Sequence, residues 1–454
     1  MACANRSPRS WRPRAVVEAL ARLEKAIDQT RTRRASGRVT GVSGLLVRAN
    51  VPAVRIGELC ELREPGTDEV RFADVVGIEG ETALLSLHGT TRGISVRTEV
   101  IPTGREPVIV VGDFLLGAVI DAHGNIIRKA EGVAGRADKT NQPLYAPPPA
   151  PLTRRPVARH LPVGIPAIDG LLTCGEGQRI GIFGPPGAGK STLVSDIVKN
   201  VDADVVVCAL VGERGREIGE FVELVMPAGA RSNAVLVTAT SERPALERFK
   251  AVLTATAIAE HFRDRGKRVV LVVDSVTRLA RALREIGLAA GEPPVRRGFP
   301  PSVFALLPQI FERAGNSTEG TMTAFYTVLV EGEERTDPIA EETRALLDGH
   351  IVLSDRIAQA GQFPAIDILA SRSRTMNAVV TETHRRASDR LRSMLALYKE
   401  VELLIRVGEY QEGRDAVIDE AVRKRAQIGN FLFGGHAKAL SFEETVARLL
   451  ELAR

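Results

Sequence analysis

An α/β fold with a parallel sheet, preceded by a small β-barrel and followed by helices, is what this sequence predicts, on three observations. The glycine-rich run Gly184-Pro185-Pro186-Gly187-Ala188-Gly189-Lys190-Ser191 follows the apolar stretch Arg179-Ile180-Gly181-Ile182-Phe183. Two β-branched runs, Val205 to Val211 and Arg268 to Val273, lead into the carboxylates Glu213 and Asp274. Continuous apolar runs of this length read as strands buried on both faces, the habit of parallel sheets. Short alternating runs punctuated by Gly and Pro occupy about Val39 to Thr103, which reads as a small barrel.

Taken in order, the chain opens with Val16, Leu20, Leu23 and Ile27 at three- and four-residue steps among Arg14, Arg22 and Lys25. This predicts a short basic amphipathic helix, which either packs on its own protein or docks on a partner helix or an anionic membrane. Gly44-Leu45-Leu46-Val47 and Glu81 to Leu87 are typical of the barrel runs. Pro147-Pro148-Pro149-Ala150-Pro151 is a stiff connector. From roughly Val163 strands and helices alternate, and after about Thr383 periodic stretches such as Leu391 to Tyr398 read as helices. The expected units are 1–36, 37–105, 106–383 and 384–454.

The glycine-rich run fits G-x-x-x-x-G-K-[ST] between a strand and a helix, so it reads as a phosphate-binding loop. Gly184, Pro185, Pro186, Gly187, Ala188 and Gly189 form the loop, and Lys190, Ser191 and Thr192 open the helix. Backbone N–H groups and the helix dipole would face the phosphates. Lys190 would contact the β- and γ-phosphates, and the Ser191 hydroxyl would hold Mg²⁺. Asp274, at a strand's carboxyl end, stands where a carboxylate orients magnesium-bound water, although alone it also reads as a cap of the next helix. Glu213, at the same rim, is placed to polarise an attacking water. The bland reading of Glu213-Arg214-Gly215-Arg216-Glu217 is a charged surface cluster.

Composition narrows the class. The 454 residues suffice for two to three domains, with 44% hydrophobic residues to fill them. The balance of 61 basic and 56 acidic residues is spread along the chain and calls for no nucleic-acid surface. Cys3, Cys60, Cys174 and Cys208 lack metal-ligand spacing and fit a reducing cytosol. No apolar run approaches the ~18 residues of a membrane span.

Three stretches carry a resemblance: Ala167 to Arg179, Gly212 to Glu217, and Gly291 to Ser302. Together, from about Val39 to the C-terminus, the chain resembles the ATPases of type III secretion systems, homologues of the flagellar export ATPase and of the catalytic subunit of rotary ATP synthases. The resemblance implies a RecA-like P-loop ATPase core with an N-terminal barrel and a C-terminal helical domain. It implies ATP and Mg²⁺ as ligands and a cytoplasmic homohexamer, peripheral at the inner membrane. Its partners would be a stator-like regulator, a central stalk protein, the export gate and chaperone–substrate complexes.

Residue by residue, the resemblance assigns Lys190 and Ser191 to phosphates and Mg²⁺, Glu213 to the attacking water and Asp274 to the Walker B carboxylate. Arg214 and Arg278 match positions beside the catalytic site. Phe363 matches the aromatic ring that stacks on adenine, where the family usually carries Tyr. Arg374 matches the arginine finger offered to a neighbouring subunit, whereas its own surroundings in the sequence favour a surface salt bridge. Three departures stand out: Asp355 for a basic residue, Gln362 for a frequent His, and Arg372 for an apolar residue. The last leaves Arg372 and Arg374 both eligible as the finger.

Three other readings are related. The flagellar export ATPase shares the motifs, but Thr173-Cys174-Gly175-Glu176 favours the secretion branch. An RNA-translocating hexameric helicase shares core and barrel, yet from Gly37 to Arg105 the one aromatic is Phe72, too few for base stacking. A non-catalytic ring subunit generally lacks the Glu found at position 213.

Overall fold

The computed structural model describes residues 35–44, 46–129, 138–226, 233–330, 337–434 and 439–454. The amphipathic segment from Val16 to Ile27 lies outside them. Strands β1 (Gly37–Ser43), β2 (Leu46–Asn50), β3 (Leu59–Arg63), β4 (Val70–Glu79), β5 (Thr82–Leu87) and β6 (Glu99–Pro102) close into a barrel in the order β1-β2-β5-β4-β3-β6. Two-residue alternation fills it: Val47 and Ala49, Cys60 and Leu62, Ala73 and Val75, Ala83 and Leu85 all point inward.

Next come β7 (Val108–Val111), β8 (Ala118–Asp121), β9 (Ile126–Lys129) and β10 (Thr140–Pro143), of which β7 pairs with β10. The core sheet adds β11 (Arg179–Gly184), β12 (Val205–Val211), β13 (Ala234–Ala239), β14 (Arg268–Asp274), β15 (Thr321–Leu329), β16 (Gly349–Val352) and β17 (Arg372–Ser373). Its order is β17-β16-β11-β15-β14-β12-β13-β8-β9, parallel from β16 to β8 with one antiparallel strand at each edge. The β8–β9 hairpin therefore joins the sheet from upstream of the proline connector, which strand and helix alternation after Val163 does not foretell.

Both faces of the sheet are covered, which explains why its strands are apolar throughout. In β12, Val205, Val207, Ala209 and Val211 join one core, while Val206, Cys208 and Leu210 join the other. Helices α1 (Pro166–Leu171), α2 (Lys190–Asn200) and α3 (Gly215–Val225) lie on the second face, and α4 (Ala245–Asp264), α5 (Val276–Ala289), α6 (Pro301–Phe311) and α7 (Pro338–Leu346) on the first. The short α8 (Asp355–Gln359) and α9 (Met376–Val379) precede the C-terminal helices α10 (Glu382–Arg406), α11 (Ala416–Phe433) and α12 (Phe442–Leu452). Leu391, Phe431 and Leu449 of these helices share a core with α1 and α2, so the helical end rests on the phosphate-loop side. The last helix starts with a capping box, Ser441 with Glu444.

Barrel and core are joined by buried charge. Lys250 of α4 pairs with Asp74 of β4 at 2.6 Å, their side chains 1% and 2% exposed. His88 Nε2 lies 2.8 Å from the other Asp74 oxygen, and its ring stacks on His123 with centroids 4.5 Å apart. Burial alone would raise the Asp74 carboxyl, but the His88 hydrogen bond and the Lys250 charge hold it below its ordinary range. Removing one member of such a pair leaves an uncompensated charge, so Lys250→Met is expected to lose about 3–5 kcal/mol of stability. A lower denaturant midpoint for the barrel checks it, with partial recovery in the Lys250→Met, Asp74→Asn double variant.

Candidate active site

The phosphate loop leaves the carboxyl end of β11, and α2 begins at Lys190. Gly189 has φ +83°, where a side chain is strained, and a Cβ there would also stand 3.1 Å from the Phe363 ring. Glycine thus serves two demands, the left-handed turn into the helix and the close approach of an aromatic ring. Phe363 remains 44% exposed.

Asp274 closes β14 beside the loop. Its Oδ1 lies 3.2 Å from Lys190 Nζ and accepts a hydrogen bond from the Thr327 hydroxyl at 2.6 Å. Thr327 stands on neighbouring β15, one step past the Val273–Tyr326 pair, so sheet register aims the carboxylate. Sequence reasoning misses Thr327, since one Thr in an apolar strand carries no signal.

Glu213 follows β12, and Arg278 of α5 reaches it at 3.0 Å. The Arg278 guanidinium also donates to the Gly212 carbonyl. Gly212 has φ +68°, and a Cβ there would meet Arg278 Cδ at 3.0 Å, so this glycine lets the arginine pass beneath the carboxylate. Burial, the Asp274 charge and a hydrogen bond that the protonated carboxyl donates to Glu217 push Glu213 up to about 7, against the opposing pull of Arg278 and Lys190.

Ser191, Thr192, Glu213 and Asp274 line one cleft of about 310 Å³. Gly189, Thr192 and Phe363 line a second of about 230 Å³, closed by Leu432 and Gly434 from the C-terminal helices. Thr192 belongs to both, so the two clefts meet at the start of α2. The approach of Leu432 and Gly434 to Gly189 and Phe363 is not visible in the sequence, because they lie far apart along the chain. Arg214 stays outside this group: its side chain is 76% exposed and pairs with Glu217 at 3.6 Å.

Arg374 lies elsewhere. Ser373 of β17 pairs with Gly349, which is level with Ile180 near the start of β11, while the phosphate loop leaves the end at Gly184. At about 3.3 Å of rise per residue, Arg374 and its own Lys190 are separated by most of the strand's length. Arg372 and Arg374 are exposed, with no carboxylate partner among the described residues, contrary to the surface salt bridge that the local sequence favours for Arg374.

The structure of this chain has counterparts. Residues 164–373 match the ATP synthase alpha/beta family nucleotide-binding domain, 39–104 that family's beta-barrel domain, and 380–451 the T3SS EscN ATPase C-terminal domain. A type 3 secretion system ATPase of Sinorhizobium fredii is 52% identical, covering 93% of this chain and 93% of its own length. The chain belongs to the type 3 secretion system ATPases. The assembled ATPase EscN from the enteropathogenic E. coli type III secretion system superposes with a TM-score of 0.86 at 46% identity, covering 92% of this chain and all of its own. EscN in complex with its central stalk EscO gives 0.84 at 45%, with 92% of this chain and all of that one covered. A flagellum-specific ATP synthase of Bacillus subtilis is 44% identical over 95% of this chain and 98% of its own length.

Within this secretion ATPase, one departure from the family pattern, Asp355, has a local explanation. Asp355 begins α8, where a carboxylate suits the helix dipole, and the Gln359 amide donates to it at 2.8 Å. Arg356 turns instead to Glu402 at 3.3 Å. No helix among the described residues is long and apolar enough to cross a membrane.

The raised Glu213 carboxyl has a kinetic consequence. A carboxyl that is protonated below about pH 7 cannot accept a proton, so kcat/KM of the ATPase is expected to fall as pH drops through that value. The pH profile checks it, and a flat profile across neutrality would count against Glu213 as the base.

Proposed function

We propose that this ATPase hydrolyses ATP to ADP and phosphate at the interfaces of a homohexameric ring, and that the hydrolysis energises chaperone release and substrate unfolding during type III export. The observation that carries the reading is the meeting of Lys190, Asp274 and Glu213 at the carboxyl ends of three parallel strands, with Ser191 on the same cleft. Ligands of open parallel sheets sit there.

The donors present fit Mg²⁺. A Ser191 hydroxyl and an Asp274 carboxylate are hard oxygen donors, and magnesium takes few protein ligands beside substrate phosphates and water. When bound, the ion neutralises charge on the β- and γ-phosphate oxygens. The loop N–H groups and Lys190 hold the phosphates, and Ser191 and Asp274 would hold the ion, Asp274 through water. Glu213, steadied by Arg278, orients the attacking water and takes its proton. Phe363 stacks on the adenine, and Arg374 meets the developing phosphoryl charge from the next subunit. Arg214, exposed beside Glu213, stands by to contact that subunit. Little covalent work falls to the protein, so positioning and electrostatics supply the rate.

The assembled ATPase EscN and its complex with the central stalk EscO support assembly of copies of this chain and a central stalk partner here. A stator-like regulator, the export gate and association with the cytoplasmic face of the inner membrane complete the proposal. Specific ATPase activity is expected to rise with protein concentration, in step with hexamer mass. Constant specific activity from a species of monomer mass would overturn the interfacial site.

A further inference from the structure

The outer edge of the nine-stranded sheet carries more positive charge than one arginine finger requires. In β17, Ser373 turns inward: its hydroxyl donates to the Thr173 carbonyl at 2.9 Å and accepts from Gln178 Nε2 at 3.1 Å. The ladder continues past it, because the Arg374 N–H donates to the Asp348 carbonyl at 3.0 Å. Side chains alternate along an extended chain, so Arg372 and Arg374 both project from the face opposite Ser373.

On that face the carboxylate across from Arg374, that of Asp348, is already held by Arg179 at 3.0 Å. His350 stands directly across from Arg372, edge-on to Phe183 with centroids 6.4 Å apart, and the Arg344 guanidinium lies 5.0 Å over the same Phe183 ring. Burial and then Arg344, with Arg374 and Arg372 behind it, push the His350 imidazole down to about 4, against a hydrogen bond with Ala370. It is neutral at physiological pH. On the other strands of the nine-stranded sheet the arginines are matched: Arg128 with Glu223, Arg179 with Asp348, Arg268 with Asp202 and Asp204. Arg372 and Arg374 are the contrast, two exposed guanidiniums about 7 Å apart at their Cα atoms, with no carboxylate partner among the described residues. That spacing lets two forked cations converge on the oxygens of one phosphate chain.

We propose that Arg372 is a second phosphate-contacting residue, reaching with Arg374 into the triphosphate bound by a neighbouring subunit. The inference rests on the interfacial reading of Arg374. Its rival is an edge charge whose task is to keep the exposed strand from pairing with other chains, and that task leaves catalysis untouched.

The test uses full-length assembled rings, with steady-state kcat and KM for ATP. Arg372→Leu is expected to lower kcat about 10- to 100-fold, the worth of a charge-assisted hydrogen bond. Arg372→Lys should recover part of the loss, since it keeps the charge without the fork. Mixing Arg372→Leu with Lys190→Ala subunits should raise activity above either alone. Arg372→Gln, doped into wild-type rings, should lower kcat in proportion to its fraction and covers the case in which the Leu variant does not assemble. If Arg374→Ala and Lys190→Ala complement one another while the Arg372 variants that assemble keep wild-type kcat, the proposal is overturned and Arg372 is an edge charge. If that reference pair forms hexamers and does not complement, the interfacial reading of Arg374 fails first, and this inference with it.

Discussion

Replacing Glu213 with Gln is expected to leave ATP bound and to remove about 10²- to 10⁴-fold of turnover, the range of a lost general base. The amide keeps the size of the carboxylate and its contact with Arg278, but it cannot take a proton. Stability should not fall with activity. The ionised Glu213 is opposed by burial, by Asp274 and by Glu217, so neutralising it relieves repulsion at neutral pH. Nucleotide affinity, turnover and the denaturation midpoint, measured separately, distinguish a chemical loss from a folding one. Near-normal turnover would remove Glu213 from the mechanism.

Arg374→Ala should be nearly inactive alone, with about 10³- to 10⁵-fold lost if the residue is an arginine finger, and Lys190→Ala should be equally poor. Their mixture is the informative sample. The first variant keeps an intact phosphate loop and the second an intact Arg374, so random mixing makes about a quarter of the interfaces in a closed ring whole. Activity should therefore reappear in the mixture. The geometry behind this is the strand register: Ser373 lies level with the start of β11 and Lys190 follows its end. If tagged hexamers contain both variants and activity stays at the level of the separate mutants, Arg374 does not act across the interface.

The phosphate loop and the two carboxylates were legible in the sequence because local rules decide them. A run of six or seven apolar β-branched residues can hardly be anything but a buried strand, and the residues just past its carboxyl end lie at the sheet's rim. Glycines at 187 and 189, both with positive φ, mark a turn in any context. Phe363 is different. It meets Gly189 from 174 positions further along the chain (363 − 189 = 174), and resemblance alone pointed to it.

Arg374 shows most clearly where local reading ends. An exposed arginine after an apolar strand is most often a surface ion pair, and nothing between Ser371 and Arg374 says otherwise. The inward hydrogen bonds of Ser373, the outward face they impose on its neighbours and the missing counter-charge exist only once β17 is laid against β16. The same holds for Thr327 aiming Asp274, and for Lys250 meeting Asp74 across the seam between barrel and core. The sequence by itself determined the strands, the loop and the rim positions, because apolar period and backbone-permissive residues act within a few positions. Only the tertiary structure decided which rim carboxylate is buried, which arginine is left without a partner and which end of the sheet each faces, because these depend on strand order and register, and no short window of sequence contains either.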